Sequence, residues 1–182
     1  MGGLYIPGAG ISIPETQYTQ PKGGYEGVIL TQIPQGLLKL SNPATVYVSG
    51  SGGNPFGHAL FMISPSIGYV HAVEPGTHPV RFIPHDEFER FMKEMGKTSW
   101  TMQPVELSRP QAAVTFIQQC LLVGYTWLPH HNCVTLCKEI CTHGGGNVVP
   151  SSAFPTTSTK DRGNIPKPAF SHPYDSITND ML

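Results

Sequence analysis

The middle of the chain reads as short apolar runs punctuated by glycine and proline. "TVYVSGSGGNPFGHALFMI" predicts a strand at residues 45–48, a glycine-rich loop, and an apolar strand over residues 57–63. "SPSIGYVHAVEPG" continues with a turn and a second strand at residues 69–74, so the two form an antiparallel hairpin. Farther on, "IPHDEFERFMKEMG" sets Phe88, Phe91, Met92 and Met95 on one face of a helix that Gly96 stops. "SWTMQPVELS" is the next strand, and Pro104 argues for a sheet edge. Ser108 is placed to cap "RPQAAVTFIQQCLLVG", where Ala113, Phe116, Ile117, Cys120 and Leu121 make an apolar stripe ended by Gly124. Asn132 caps a last helix that begins at Cys133, with Gly144 as its stop.

These elements predict an α+β fold, a small antiparallel sheet covered on one side by helices. Residues 1–26 are rich in Gly and Pro and read as an arm wrapping the surface, residues 27–146 as the domain, and residues 147–182 as a Pro/Ser/Thr-rich tail without periodicity. The chain has 182 residues, which suits one domain with appended segments.

Composition narrows the function classes. With 11 Lys plus Arg against 12 Asp plus Glu, bulk charge recruits neither nucleic acid nor an anionic membrane. Only 13% of residues are charged while there are 20 Gly and 18 Pro, so short elements and many turns are expected rather than a helical bundle. No apolar run approaches the ~20 residues that cross a bilayer, and a soluble protein without a membrane span is expected. The start "MGGLYIPGAG" lacks the basic opening of a secretory signal, and Ile6 stands where a myristoylation motif has Ser or Thr. Synthesis in the cytoplasm, with any export by a route that cleaves no signal, is the expected localisation.

The chemistry concentrates in "LPHHNCVTLCKEICTHGGG". Four readings compete: a metal cluster, a disulfide framework, a buried helix face and a catalytic cysteine. Cys133, Cys137 and Cys141 span about 12 Å along one helix, too far for all three to reach a single zinc ion with His130 and His143. Three cysteines this close suit a reduced chain better than a disulfide scaffold. Helix geometry separates them: Cys133 lies in the first turn, where unpaired N–H groups and the helix dipole favour a thiolate. Cys137 and Cys141 lie on the apolar face with Leu136 and Ile140, and Cys120 belongs to the preceding stripe.

A cysteine nucleophile needs a histidine base, and the base needs a third group to hold its tautomer. With a four-residue connection at 64–67, Ile63 opposes Gly68 and Leu60 opposes His71. His58 and His71 then sit diagonally on one face, ~7–8 Å apart at the backbone and within reach of each other. Glu74 would point the other way and becomes the third residue only if the register slips. The loop "SGSGGNPFG" lacks the Lys-Ser/Thr ending of a phosphate loop and reads as a wall beside His58.

The ordered set "GHALF", "GYVHAVEP" and "YTWLPHHNCVTLCKEICTHGG" resembles the circularly permuted branch of the NlpC-type papain-like superfamily, in which histidine precedes cysteine. The resemblance implies a permuted papain-like fold with Cys133 as nucleophile, His58 as general base and then acid, and His71 as the orienting residue. His131 and Asn132, just before the nucleophile in the sequence, are the candidate substrate-binding residues, and no cofactor and no metal is expected. The acyltransferase branch continues its Asn-Cys with an acidic residue and histidine, where this chain has Val134 and Thr135, so the resemblance favours amide hydrolysis over lipid chemistry. The implied function is a cysteine peptidase or amidase acting on peptidoglycan, similar to antibacterial effectors delivered by type VI secretion into the periplasm of a target cell. Such an enzyme implies an immunity protein or secretion-apparatus partner. An isopeptidase or thiol acyltransferase on protein or lipid, and a non-enzymatic zinc-stabilised binding domain, are the other readings.

Overall fold

The computed structural model describes residues 2–49, 57–73, 78–126 and 132–146. Strands β1 (Gly3–Ile6) and β2 (Ile11–Pro14) form a hairpin, and β3 (Tyr18–Thr19) pairs with β4 (Ile29–Leu30). The main sheet follows with β5 (Ala44–Ser49), β6 (His58–Ser64), β7 (Gly68–Ala72), β8 (Val80–Pro84) and β9 (Ser99–Pro104). Its order is β8-β7-β6-β5-β9 and every pairing is antiparallel. Three helices accompany it: α1 (Phe88–Glu94), α2 (Pro110–Leu122) and α3 (Cys133–His143). The architecture is α+β, as the sequence predicts, and β9 with Pro104 at its end is an edge strand.

The helices do not lie on one side. α2 and α3 share a core with Phe61, Val70 and Phe82, while Phe88, Phe91 and Met92 of α1 pack with Leu60, Met62 and Tyr69 on the opposite face. The reason is visible in the strands themselves, since β6 after its first residue and the whole of β7 are buried residue after residue rather than alternately. Strands buried on both faces read as continuous apolar runs, and "ALFMI" is one.

The first 26 residues contribute to the core. Ile6 and Ile13, from the two strands of the first hairpin, are 1% and 0% exposed and pack into the α2–α3 side. Val28 then bridges to Phe82 through two backbone hydrogen bonds, N–H to O at 2.8 Å and back at 3.0 Å. Gly27 makes this approach with φ +89, where a Cβ would stand 2.5 Å from the Phe82 carbonyl oxygen. Glycine is required there on both conformational and steric grounds.

Helix ends follow local rules with one exception. Asn132 accepts from the N–H groups of Val134 and Thr135 and caps α3 as expected. The N-cap of α2 is Arg109 rather than Ser108, with Pro110 at the first helical position. Ser108 instead donates its hydroxyl to the Gly145 carbonyl at 2.9 Å, joining the start of α2 to the end of α3. Proline supplies the helical φ and has no N–H to satisfy, so a side-chain cap is less needed. No helix among the described residues is long and apolar enough to cross a membrane.

Candidate active site

The two histidines meet through the β6–β7 register. Phe61 opposes Val70 and Met62 opposes Tyr69, the offset that the expected pairing of Leu60 with His71 requires, and the ladder ends at Phe61 and Val70, one residue short of His71. Ser64, not Ile63, opposes Gly68, and the irregularity between Met62 and Ser64 is a β-bulge. The bulge absorbs the extra residue near the turn and leaves the histidine end in register. His58 Nε2 lies 2.6 Å from His71 Nδ1, with ring centroids 4.8 Å apart and the rings perpendicular. Phe91 of α1 stands against both, its ring centroid 5.4 Å from that of His71 and 6.4 Å from that of His58.

Elementary donor counting fixes the tautomers. His71 Nε2 lies 2.8 Å from the backbone oxygen of Glu26. A carbonyl only accepts, so His71 carries its proton on Nε2 and, when neutral, a lone pair on Nδ1. His58 must then donate from Nε2, which leaves the lone pair of a neutral His58 on Nδ1. The relay Glu26 C=O, His71, His58 therefore presents one basic nitrogen, His58 Nδ1. Glu26 is brought over His71 by Gly27 and Val28, which dock on β8, the strand next to β7.

Burial keeps both rings neutral. His71 is 1% exposed and its pKa falls from 6.5 to about 4, mainly by desolvation, against the bond to Glu26 and with the Arg81 charge lowering it further. His58, partly exposed at the surface, is also held well below its ordinary value by burial of the imidazole, by His71 and by Lys97. Arg81 faces His71 directly across the β7–β8 ladder, and its Nε and one Nη are buried without a hydrogen-bond partner among the described residues. A proton on His71 would meet that cation.

Cys133 opens α3 on the other face of the sheet, 7% exposed. Burial pushes its thiol up, while hydrogen bonding from the backbone of Ala59, Cys133 and Val134 and the charge of Lys97 pull it down. Ala59 adjoins His58, so the thiol reaches the histidine end of β6 at the point where the β6–β7 ladder has ended. The structure thus joins His58 to His71 directly and brings Cys133 to the neighbouring residue. Among the described residues no hydrogen bond links Cys133 to His58. Cys137 and Cys141 are fully buried against the sheet, Cys120 is 4% exposed, and all four cysteines are free thiols. Burial and Cys133 raise the Cys137 thiol well above its ordinary value, which keeps it protonated and inert. Asn132 is engaged as the helix cap through its side-chain oxygen.

Glu74, His130 and His131, residues 50–56 of the wall loop and the tail at 147–182 lie outside the described residues. No group of three or more His, Cys, Asp or Glu able to hold a metal occurs among the described residues. Glu26, Arg81 and Lys97 carry no signal in the sequence that marks them. Glu26 acts through a backbone oxygen that any residue has, and the nearest clue is the glycine beside it. Comparison of the chain with family models, with curated proteins and with solved structures finds no match.

Proposed function

We propose that the protein is a cysteine hydrolase of amide bonds, a peptidase or amidase with Cys133, His58 and His71 in the roles that the permuted papain-like resemblance implies. The observation that carries this reading is the relay from the Glu26 carbonyl through His71 to His58, because it leaves a single lone pair on His58 Nδ1, and His58 adjoins Ala59, whose backbone meets the thiol of the helix-start cysteine. Two neutral histidines in series have little use as a packing device, whereas a base whose tautomer is held by a second group is what thiol catalysis needs.

In the proposed reaction the Cys133 thiol proton passes to His58 Nδ1 as sulfur bonds to the amide carbon. The oxyanion of the adduct accepts from the backbone N–H of Cys133. The C–N bond breaks and the leaving amine takes the proton from His58, giving a thioester. Water then gives a proton to His58 Nδ1 while its oxygen attacks; the C–S bond breaks, sulfur recovers the proton, and a carboxylic acid leaves. A hydrogen bond between Cys133 and His58 is expected to form when substrate closes the site, since catalytic contacts are often long in free enzymes.

The substrate class, peptide or amide bonds of peptidoglycan, and delivery into a rival cell's periplasm come from the resemblance. The test expresses wild type and Cys133→Ala in a bacterium, each with and without a periplasmic signal. Lysis by exported wild type alone, with peptides released from purified peptidoglycan by mass spectrometry, supports the proposal. Identical behaviour of exported wild type and Cys133→Ala refutes catalysis, and lysis with no released peptide refutes the substrate class.

A further inference from the structure

Strand β9 has β5 on one side and, among the described residues, no strand on the other. An open edge presents N–H and C=O groups to whatever can pair with it, and proteins cover such edges. The Val105 N–H donates to Pro43 O at 2.9 Å, on the β5 side. Backbone groups alternate in direction along a strand, so the Met102 N–H and C=O and the Pro104 C=O point to the outer side.

The chain itself comes back to this edge. After α3 it turns at Gly145, φ +64, where the N–H groups of Gly145 and Gly146 return to Thr142 O at 3.1 Å and Cys141 O at 2.8 Å. The turn sets Gly146 in an antiparallel bridge with Leu107, just past the end of β9. A Cβ on Gly146 would stand 2.7 Å from the Glu106 carbonyl oxygen, so the two backbones approach closely there. The next residues are "NVVPSSA", 147–153, which lie outside the described residues.

We propose that the outer edge of β9 is a docking surface for the chain's own residues 147–153, which add a sixth, antiparallel strand to the sheet. The Leu107–Gly146 bridge fixes the register, placing Val148 opposite Val105, Val149 opposite Pro104, Pro150 opposite Gln103 and Ser151 opposite Met102. Val149 then donates to the Pro104 carbonyl, and Ser151 exchanges both backbone bonds with Met102. Pro150 falls where an N–H would point to solvent, the position at which a strand loses nothing by having proline, and it blunts the new edge. Val148 lands on the face of Val105 and Leu107, which pack with the α2–α3 core. Ser152 falls diagonally to Gln103, whose side-chain oxygen is buried without a hydrogen-bond partner among the described residues, and a serine hydroxyl can donate to it. Val48 pairs with both Trp100 and His58, so the new strand delivers residues 154–182 at the end of the sheet where β6 begins with His58.

The test is amide hydrogen exchange on the full chain, read residue by residue by nuclear magnetic resonance. The Met102, Val149 and Ser151 amides are expected to exchange at least about tenfold more slowly than in an unstructured peptide, while Val148 and Ser152 exchange freely. Free exchange at Val149 and Ser151 overturns the proposal. Protection of Met102 without protection of Val149 and Ser151, together with sedimentation that rises with concentration, means that a second copy holds the edge and overturns it as well. Two variants check the register. Val149→Pro removes an N–H that the pairing uses and is expected to release the Met102 amide, whereas Val148→Pro removes one that faces solvent and leaves Met102 protected. Equal Met102 exchange in the two variants overturns the assigned register and the proposal with it.

Discussion

Replacing His71 with glutamine tests the neutral relay through folding stability. Glutamine can donate an N–H to the Glu26 carbonyl and accept from His58 Nε2, so it keeps both bonds while removing a titrating group. In the folded protein the His71 pKa is depressed from 6.5 to about 4. A depressed value means that the unfolded chain takes up the proton first. The stabilising contribution is therefore complete above the unfolded value of 6.5 and is lost as pH falls toward about 4. At 1.36 kcal/mol per pH unit the full loss is about 3 kcal/mol, of which about 2 kcal/mol has gone by about pH 5.

The assay is urea unfolding at several pH values between neutral and mildly acid, followed by far-ultraviolet circular dichroism and by tryptophan fluorescence. With a slope of about 2 kcal/mol per molar, wild type should lose roughly 1 M more in urea midpoint than His71→Gln between neutral and about pH 5. The comparison with the variant removes carboxylates, which titrate in both proteins. His58 continues to titrate in the variant, so some acid sensitivity remains there, and in wild type the two rings share their titration steps. If both proteins lose the same stability on acidification, His71 is not a buried neutral ring and the tautomer reasoning fails with it.

Two further outcomes are expected. Gly57→Ala places a Cβ 2.7 Å from the Val48 carbonyl oxygen at φ +76, immediately before His58; thermal unfolding should show a loss of about 1–3 kcal/mol, with weaker catalysis as His58 is displaced. Asn132→Ala removes the acceptor of the Val134 and Thr135 N–H groups and should cost about 1 kcal/mol by the same melt, while Asn132→Asp retains the cap.

The hairpin and the start of α3 were legible because each has a local cause. "HALFMI" and "GYVHA" are rich in strand-forming residues, and an asparagine before a helix start has one preferred use. The diagonal placement of His58 and His71 followed from strand period alone, and it survived a bulge that the sequence did not announce because the bulge lies at the turn end. The covering of both sheet faces was missed, although the unbroken apolar run of β6 was its signature. Ile6 and Ile13 were hidden among Gly and Pro, since single isoleucines form no period that betrays burial. Lys97 and Arg81 escaped because a cation's surroundings depend on which strands become neighbours, and that is set by topology rather than by adjacent residues.

The bond from His71 to Glu26 ends on the main chain, and this alters what mutagenesis can see. No replacement at position 26 deletes a carbonyl oxygen. Only a shift of the segment does, and Gly27, wedged against Phe82, is where such a shift would begin. A scan of side chains would thus identify the third anchor of the relay at a residue with no side chain, next to the one that supplies the oxygen.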